Sequence, residues 1–328
     1  MVPPVPLTAA RRRRLVEELS EQGLVLDGSE AWHDLAVEEL DYALRPPVHE
    51  RRVPSYGALV APRTAAWAWE EVTELSIERR PIPGDPTAAR AYADGLSSWL
   101  LRWDAERAEG VVFDRPAGSE RDLVVLAGAL GAVIVQRHPS GTVRVVGPAG
   151  VYRYDGLGWH HEPMVSTWID AIGEGVASDD RGVLARLLEF AVHDLGSRGI
   201  GAILVHGPDH DLPRTFERRL PTPPALRITH PPDLAPLRHV LAQIDGATLF
   251  QADGTLREIG VRLVPSTEAE TGVLGYRGMR HTSGRRYSYD DPGATVIVVS
   301  EDGPVTVLRG GALVAASTGS GPGITDVD

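Results

Sequence analysis

Six apolar residues between Leu184 and Leu195 recur at i, i+3, i+4, i+7, i+8 and i+11, the positions that share one face of an α-helix. Acidic residues precede this stripe and Gly196 follows it, so the pattern predicts an amphipathic helix over about 179–195. A short glycine-containing turn then leads into GAILVHG (201–207), which is apolar enough to be a buried strand. This succession indicates an α+β fold of mixed α/β character, in which helices flank a central mixed β-sheet.

Two β-hairpins are predicted between this strand and the C-terminus. Strand-like runs flank Asp253-Gly254 in the first and Asp302-Gly303 in the second, and Asp-Gly is a preferred hairpin turn. Asp233 is expected to cap a short helix that ends at Leu241. Residues 319–328 are rich in glycine and have no helix behind them, so we expect a flexible tail rather than a dinucleotide-binding loop.

The N-terminal half is predicted to form a separate α+β domain over residues 1–165. A chain of 328 residues is longer than most single domains, which makes two domains the natural expectation. Thr8 is expected to cap the first of two helices, and the second is expected over Glu30–Leu44. A Pro/Gly turn predicts a further helix over Pro86–Trp103. Strand-like runs are expected at 122–137, 141–147 and 150–163.

Composition excludes several kinds of chemistry. The chain has no Cys and its 33 basic residues are all Arg, so it has neither a thiolate nucleophile nor the Lys of a P-loop or a Schiff base. The net charge of −12 disfavours a general role in coating nucleic acid. No stretch reaches the ~18 apolar residues of a membrane span, and the N-terminus lacks the apolar core of a secretory signal. We therefore expect a cytoplasmic protein.

A strongly basic stretch interrupts this acidic chain at residues 275–286. It holds four Arg and one His among three glycines, and we expect a flexible loop there. One interpretation is a solvated surface loop, and the other is a cradle for phosphate. The surroundings favour the second, because an Asp-Gly-Ala motif at 245–247 and a Ser300-Glu301 pair are also expected at loop edges of one small sheet. A carboxylate, an Arg-His pair and a Ser-Glu pair would suit a nucleoside triphosphate with its metal.

The order of these motifs resembles the diadenylate cyclase (DAC) domain, the family that condenses two ATP into cyclic di-AMP. The hallmarks of that family are Asp-Gly-Ala, then Gly-Thr-Arg-His-Arg some 30 residues on, then an apolar strand that ends in Ser-Glu. The corresponding residues here are 245–247, 278–282 and 296–302. The segment 260–266 resembles the one whose leucine lies against adenine. The resemblance covers about 172–318, nearly half of the chain.

The resemblance implies a metal-dependent reaction between two subunits. Each subunit would hold one ATP with Mg²⁺ or Mn²⁺, and two DAC domains of a homo-oligomer would face each other so that each 3′-hydroxyl meets the other α-phosphate. Asp245, Arg280 and His281 would be the catalytic residues, and Asp245 and Glu301 would bind the metal. The substrate-binding residues would be Gly246, Ala247, Leu263, Gly278, Met279, Thr282, Ser300 and Glu301.

Two departures from the family pattern leave a second function open. Met279 stands where the family has Thr, which removes a hydroxyl, and Thr282 stands where it has the second Arg, which removes a charge. Arg277, Arg285 and Arg286 are candidates to replace that charge from shifted positions. If none does, the domain would be a catalytically impaired DAC-like module that binds ATP or a cyclic nucleotide for regulation.

The N-terminal domain is expected to sense a soluble effector of unknown identity. DNA-scanning members of the family carry a helical DNA-binding region after the cyclase domain, and membrane-anchored members carry N-terminal spanning helices. Neither feature is expected here, so we predict no DNA partner and no membrane partner. By elimination, residues 1–165 would respond to the effector and regulate how the domains at 172–318 pair.

Overall fold

The computed structural model describes residues 7–26, 28, 30–48, 53–61, 75–172, 178–207, 216–275 and 278–317. The chain divides into two compact units, one formed by residues up to Met164 and the other by Val165–Thr318. Each unit combines a mixed β-sheet with helices, so the predicted α+β fold class is confirmed. The predicted tail at 319–328 lies outside the described residues. The described helices are all too short or too polar to cross a bilayer.

The first unit is organised around one sheet of eight strands. These are β1 (Tyr56–Val60), β2 (Ile77–Pro81), β3 (Ser98–Arg102), β4 (Ala108–Phe113), β5 (Val133–Arg137), β6 (Val143–Gly147), β7 (Gly150–Tyr154) and β8 (Trp159–Pro163). Their order is β2-β4-β3-β1-β5-β6-β7-β8, and only the β1–β3 pair within this sheet is parallel. Helices α1 (Ala9–Glu21) and α2 (Ala31–Leu44) pack on one face and α3 (Glu120–Leu130) on the other. Side chains alternate along β1 accordingly, with Ala58 and Val60 toward α2 and Leu59 toward α3.

The second unit is organised around a seven-stranded sheet. Its strands are β9 (Ala202–His206), β10 (Phe216–Glu217), β11 (Ala247–Phe250), β12 (Leu256–Leu263), β13 (Thr295–Val299), β14 (Val305–Arg309) and β15 (Ala312–Ala316). They are ordered β10-β12-β11-β9-β13-β14-β15, with β9 and β11 parallel and the other neighbours antiparallel. Its helices are α4 (Val165–Ile172), α5 (Ser178–Glu189), α6 (Pro231–Leu241), α7 (Thr267–Gly272) and α8 (Met279–Asp290). The predicted hairpins at Asp253-Gly254 and Asp302-Gly303 are confirmed.

The amphipathic helix predicted over 179–195 is present, with a change of geometry in its last third. Helix α5 passes at Phe190 into a π-helical segment, Phe190–Leu195, all of whose residues are buried. A 3₁₀ turn over Gly196–Arg198 and Gly199 at a φ of 66° then bring the chain into β9. A π-helix has i→i+5 hydrogen bonds and therefore more residues per turn than an α-helix. Side chains in this segment consequently point in directions that a continuous α-helix would not produce.

The prediction of a helix over Pro86–Trp103 is wrong. The structure forms a 3₁₀ helix over Pro86–Tyr92 and then the strand β3. The Asp94 carboxylate accepts hydrogen bonds of 2.8–2.9 Å from the backbone N–H groups of Leu96, Ser97 and Ser98. Gly95, between them and Asp94, has a φ of 70°. This side-chain-to-backbone turn competes successfully with helix formation.

The strand-like run at 122–137 is also different from the prediction. Its first half belongs to α3, and only Val133–Arg137 forms a strand. Ser119 and Asp122 make a reciprocal capping box, which starts a helix before the apolar run, and Gly131 in a left-handed conformation ends it. The cap signal was present in the sequence, and the apolar run alone could not distinguish helix from strand.

Two expectations for the second unit are corrected. Residues 279–286, predicted as part of a flexible basic loop, belong to helix α8, which follows Gly278 directly and continues to Asp290. Asp233 does not cap α6, because the helix starts at Pro231 after His230, and the Asp233 carboxylate instead accepts the backbone N–H of Arg227 at 2.8 Å. Proline at the first helical positions accounts for the earlier start.

Candidate functional site

A pocket of about 320 Å³ opens where four parts of the second unit meet. The turn Gly199–Gly201 before β9 forms one wall, and residues 241–246, between α6 and β11, form another. Arg280 in the first turn of α8 and Glu301 after β13 complete the lining. The pocket therefore lies at the ends of the central strands β9, β11 and β13, where segments about a hundred residues apart in the chain come together.

The Asp-Gly pair of the Asp-Gly-Ala motif lies on this pocket. Asp245 and Gly246 are exposed on the turn before β11, and Ala247 is the buried first residue of that strand. Gly246 has a φ of 102°, and a Cβ there would lie 2.9 Å from the carbonyl carbon of Gly260 and the carbonyl oxygen of Val261. The turn that presents the Asp245 carboxylate is thus held against β12 by contacts that only glycine permits.

Arg280 and Glu301 form an ion pair in the lining of the pocket. The Nη1 of Arg280 lies 2.9 Å from Oε1 of Glu301, and their side chains are 38% and 69% exposed. Gly201 makes room for this pair, because a Cβ at that position would lie 2.5 Å from Arg280 Nη1. The residue was not among the predicted site residues, although a Gly-Ile-Gly sequence before a strand was a usable signal. Exposed ion pairs of this kind contribute little to stability, so the partners are available for exchange with a ligand.

His281 is turned away from the pocket. It is buried, and its Nε2 lies 3.2 Å from Oγ1 of Thr306 on β14. Successive residues of a helix point about 100° apart, and of this pair Arg280 lines the pocket while His281 contacts β14. The structure brings Asp245, Arg280 and Glu301 to one pocket, and His281 is not part of its lining.

The other predicted substrate-binding residues do not line the pocket. Leu263 is buried at the end of β12, and Met279 is 88% exposed at the start of α8. Gly278, with a φ of 117°, precedes that helix. The predicted residues that are absent from the lining are Ala247, Leu263, Gly278, Met279, Thr282 and Ser300.

The arginines considered as replacements for the missing family charge are engaged elsewhere. Arg285 donates to the carbonyl oxygen of Gly311 at 2.7 Å, and Arg286 donates to that of Val273 at 3.4 Å. Arg277 lies outside the described residues. Arg280 is therefore the cation that the described part of the chain brings to this pocket.

The donor set fits a divalent metal that arrives with a nucleotide. Asp245 and Glu301 line the same pocket, and the described residues contain no group of three His, Cys, Asp or Glu side chains that could hold a metal without a ligand. Mg²⁺ is commonly bound by one or two carboxylates together with substrate phosphates and water. Two carboxylates at one opening match that pattern.

Comparison with protein families assigns both units. Residues 189–313 match the DAC family, described as the DisA bacterial checkpoint controller nucleotide-binding domain. Residues 13–162 match a family described as "probable sensor domain DACNK". The chain carries a DAC domain behind a DACNK-type domain. The resemblance inferred from the motifs is confirmed, and DAC membership implies nucleotide binding by the second unit.

The other comparisons are less informative. No curated protein matches the chain. Among solved structures, the chain is similar to one titled the crystal structure of the hypothetical membrane spanning protein from Bacillus cereus. The identity is 19% with a TM-score of 0.32, over 42% of this chain and 71% of that chain.

Proposed function

We propose that this protein is a diadenylate cyclase, which condenses two ATP into cyclic di-AMP and two pyrophosphates. The observation that carries the proposal is the convergence of Asp245, Arg280 and Glu301 on one pocket of a DAC-family domain. Each 3′-oxygen forms a bond to the α-phosphorus of the other ATP, the bond from that phosphorus to the β-phosphate breaks, and the hydroxyl proton is released to water. The chain forms no covalent intermediate in this scheme, which agrees with its lack of Cys and Lys.

The carboxylates of Asp245 and Glu301 would hold Mg²⁺ or Mn²⁺ together with the phosphates. The metal, when bound, neutralises phosphate charge and makes the attacking hydroxyl more acidic. Asp245 orients that hydroxyl from a turn whose backbone is fixed by Gly246. The absence of a side chain at Gly246 also lets the sugar approach the backbone closely.

Arg280 would exchange Glu301 for the triphosphate. A guanidinium binds phosphate through charge-assisted, often paired hydrogen bonds, and phosphoryl transfer depends mainly on positioning and charge. Because both partners of the Arg280–Glu301 pair are partly exposed, the exchange costs little. Release of Glu301 at the same step frees its carboxylate for the metal.

We assign His281 a positioning role in place of direct contact with phosphate. Its bond to Thr306 anchors the first turn of α8 to β14, and the next residue toward the N-terminus is Arg280. The anchor restricts where the Arg280 guanidinium can reach. It also explains why an Arg-His pair, and not a single Arg, occurs at this point.

Two subunits are required, because one pocket holds one nucleotide and the reaction joins two. Met279 lies next to Arg280 with its apolar side chain 88% exposed, so it is a candidate contact for a facing subunit. Leu274, 80% exposed, is a second apolar side chain shortly before α8. A second copy that covers them would bring its own nucleotide to the same place.

One observation favours the alternative function, a catalytically impaired module that binds ATP or a cyclic nucleotide. Arg285 and Arg286 are held by backbone carbonyls, so they do not replace the charge lost at Thr282. Among the described residues, the pocket then has one cation, Arg280, where the family pattern has two. Nucleotide binding would survive this loss more easily than turnover, because the transition state carries the greater charge demand.

The decisive experiment is incubation of the full chain with ATP and Mn²⁺, with chromatography for a cyclic dinucleotide and a separate measurement of ATP binding. Asp245→Asn is expected to abolish product. Asp170→Asn, an exposed carboxylate on α4, is the matched control and should keep full activity. ATP binding without product in the wild-type chain would favour the regulatory module, and absence of both would overturn the proposal.

We also propose that the first unit binds a soluble small molecule that regulates the cyclase. A cleft of about 1000 Å³ opens over β2, β3 and β4, bordered by the 3₁₀ helix Pro86–Tyr92. Gly110 lies in its floor, and a Cβ there would meet nothing nearer than the carbonyl oxygen of Arg80 at 3.9 Å. The Tyr92 ring at the border is 82% exposed. A concave, largely apolar site with an exposed aromatic ring suits a small organic ligand.

A further inference from the structure

A buried carboxylate lies behind the pocket and belongs to none of its walls. Asp194 is in the π-helical segment Phe190–Leu195 and is only 4% exposed. Its Oδ1 is 3.4 Å from Nη1 of Arg238 and 3.7 Å from Nη1 of Arg198. One carboxylate oxygen is therefore shared by two guanidinium groups from different parts of the chain.

The two arginines stand next to the two backbone walls of the pocket. Arg198 directly precedes the wall Gly199–Gly201, and Arg238 lies in the last turn of α6, just before the wall at 241–246. Arg198 also donates to the carbonyl oxygens of His193 and Asp194, at 3.2 and 3.0 Å. The first wall is thus fixed to the π-helical segment by several bonds, and the second is joined to it through Arg238.

We infer that Asp194 is a positioning residue of the nucleotide site, which sets the separation between these two walls. It contacts neither the pocket nor, in this scheme, the substrate. It fixes the turn that carries Asp245 relative to the turn that accommodates the Arg280–Glu301 pair. The inference rests on the proposed cyclase function for its kinetic consequences, and on the described contacts alone for its structural ones.

The geometry allows a positioning role to be distinguished from a purely stabilising one. Arg198 and Arg238 are 34% and 33% exposed, so water can solvate both guanidiniums when the carboxylate is neutralised. Replacing Asp194 by Asn keeps the shape and one acceptor oxygen, and most of the packing should survive. The main remaining effect is a change in the separation of the two walls. A misplacement of about 1 Å can reduce turnover by about 100-fold.

The kinetic test uses the full chain with Asp194→Asn and a matched control on the same helix. The control is Glu189→Gln, which removes an exposed ion pair with Arg186, 2.9 Å apart, away from the pocket. We expect Asp194→Asn to lower kcat by about 10- to 100-fold with a smaller change in KM, and the control to leave both unchanged. Arg238→Gln should cost much less in the Asp194→Asn background than in the wild type, since both act through one contact.

A second measurement does not depend on cyclase activity. Hydrogen exchange of the same variants is expected to rise in the segments 199–201 and 242–246 of Asp194→Asn and to stay unchanged in β13 and β14. If the wild-type chain makes no cyclic dinucleotide, the proposed function fails, but this exchange pattern still tests whether Asp194 fixes the two walls of the pocket. Kinetics and exchange equal to those of Glu189→Gln would overturn the inference.

Discussion

The two units use charged residues in opposite ways. In the first unit, Glu39 is fully buried and accepts hydrogen bonds from Tyr56, Arg90 and Arg102. In the second, Asp245 and the Arg280–Glu301 pair stand exposed at the rim of a pocket. The buried set has its partners inside the protein and cannot change them without loss of the fold. The exposed set can release its partners to a ligand, which is what a binding site requires.

A second buried set in the first unit repeats this use of charge. Glu120 on α3 accepts from Arg153 on β7, and Arg153 also contacts Glu162 on β8. Burial alone would lower the pKa of Arg153, but the charges of Glu120 and Glu162 outweigh it and raise that pKa. These ion pairs connect a helix to the edge of the sheet. They are structural, because each partner is already satisfied by another.

Substitution at Glu39 should give the largest effect. Glu39→Gln removes the nearest counter-charge of two buried guanidiniums and leaves Arg102 with only the longer contact to Glu38 at 3.7 Å, so the free energy of unfolding of the first unit should fall by about 3–5 kcal/mol. Urea unfolding followed by Trp fluorescence reports on this unit, because six of the seven Trp residues precede Met164.

The matched comparison is Asp245→Asn in the second unit, for which we expect a change below about 0.5 kcal/mol. Equal destabilisation by the two substitutions would contradict the division into structural and exchangeable charges. So would an unchanged unfolding curve for Glu39→Gln.

Local signals account for the part of the fold that could be predicted. The hairpins follow from the turn chemistry of Asp253-Gly254 and Asp302-Gly303, and the stripe from Leu184 to Leu195 follows from its period. These features involve residues close in sequence, so no tertiary information was needed. The motif order also predicted a set of site residues, and three of them, Asp245, Arg280 and Glu301, line one pocket.

Tertiary contacts account for what could not be predicted. Helix α8 follows Gly278, contains Gly284 and has few apolar residues, so residues 278–290 have the composition of a loop. The helix is stabilised by its neighbours, because Gly284 lets it approach β13 so closely that a Cβ would lie 3.0 Å from Val298. Buried His281 and Tyr287 complete the contact face. Asp194 was missed for a related reason, since its partners lie 4 and 44 residues away and only folding brings them together.

A smaller effect, confined to activity, is expected at Gly201. In Gly201→Ala the new Cβ would lie 2.5 Å from Arg280 Nη1 and 2.9 Å from Glu301 Cγ, so the exposed pair must move. The displaced groups are ends of flexible side chains, and the free energy of unfolding should change by less than about 0.5 kcal/mol. Formation of cyclic dinucleotide should fall about tenfold, because both side chains are shifted from the phosphate and metal.

The control for Gly201→Ala is Gly182→Ala on α5, where a Cβ would meet nothing within 4 Å. Its activity should equal that of the wild type. Full activity of Gly201→Ala, or a loss of stability that parallels its loss of activity, would show that the pair is not an exchangeable element of the site.

The smallest effect is expected at the cleft of the first unit, whose lining can be compared with that of the pocket in the second unit. The pocket of the second unit is rimmed by charge, whereas the floor of the cleft has Gly110 between Arg80 of β2 and Leu100 of β3. Gly110→Val fills empty space and leaves the stability of the ligand-free chain nearly unchanged, since valine is favoured in strands. An effector at a concentration equal to its Kd should stabilise the wild-type chain by about 0.4 kcal/mol. The stabilisation increases with effector concentration, so a thermal-shift screen of small metabolites uses concentrations well above the Kd.

Each compound that raises the melting temperature of the wild type should fail to raise that of Gly110→Val. It should still raise that of Gly128→Val, a control on α3 where a Cβ would meet no atom within 4 Å. If no compound shifts the wild type, or if the shift persists in Gly110→Val, the cleft is not the sensing site, and the contrast between a structural unit and an exchanging unit then extends to the whole of the first unit.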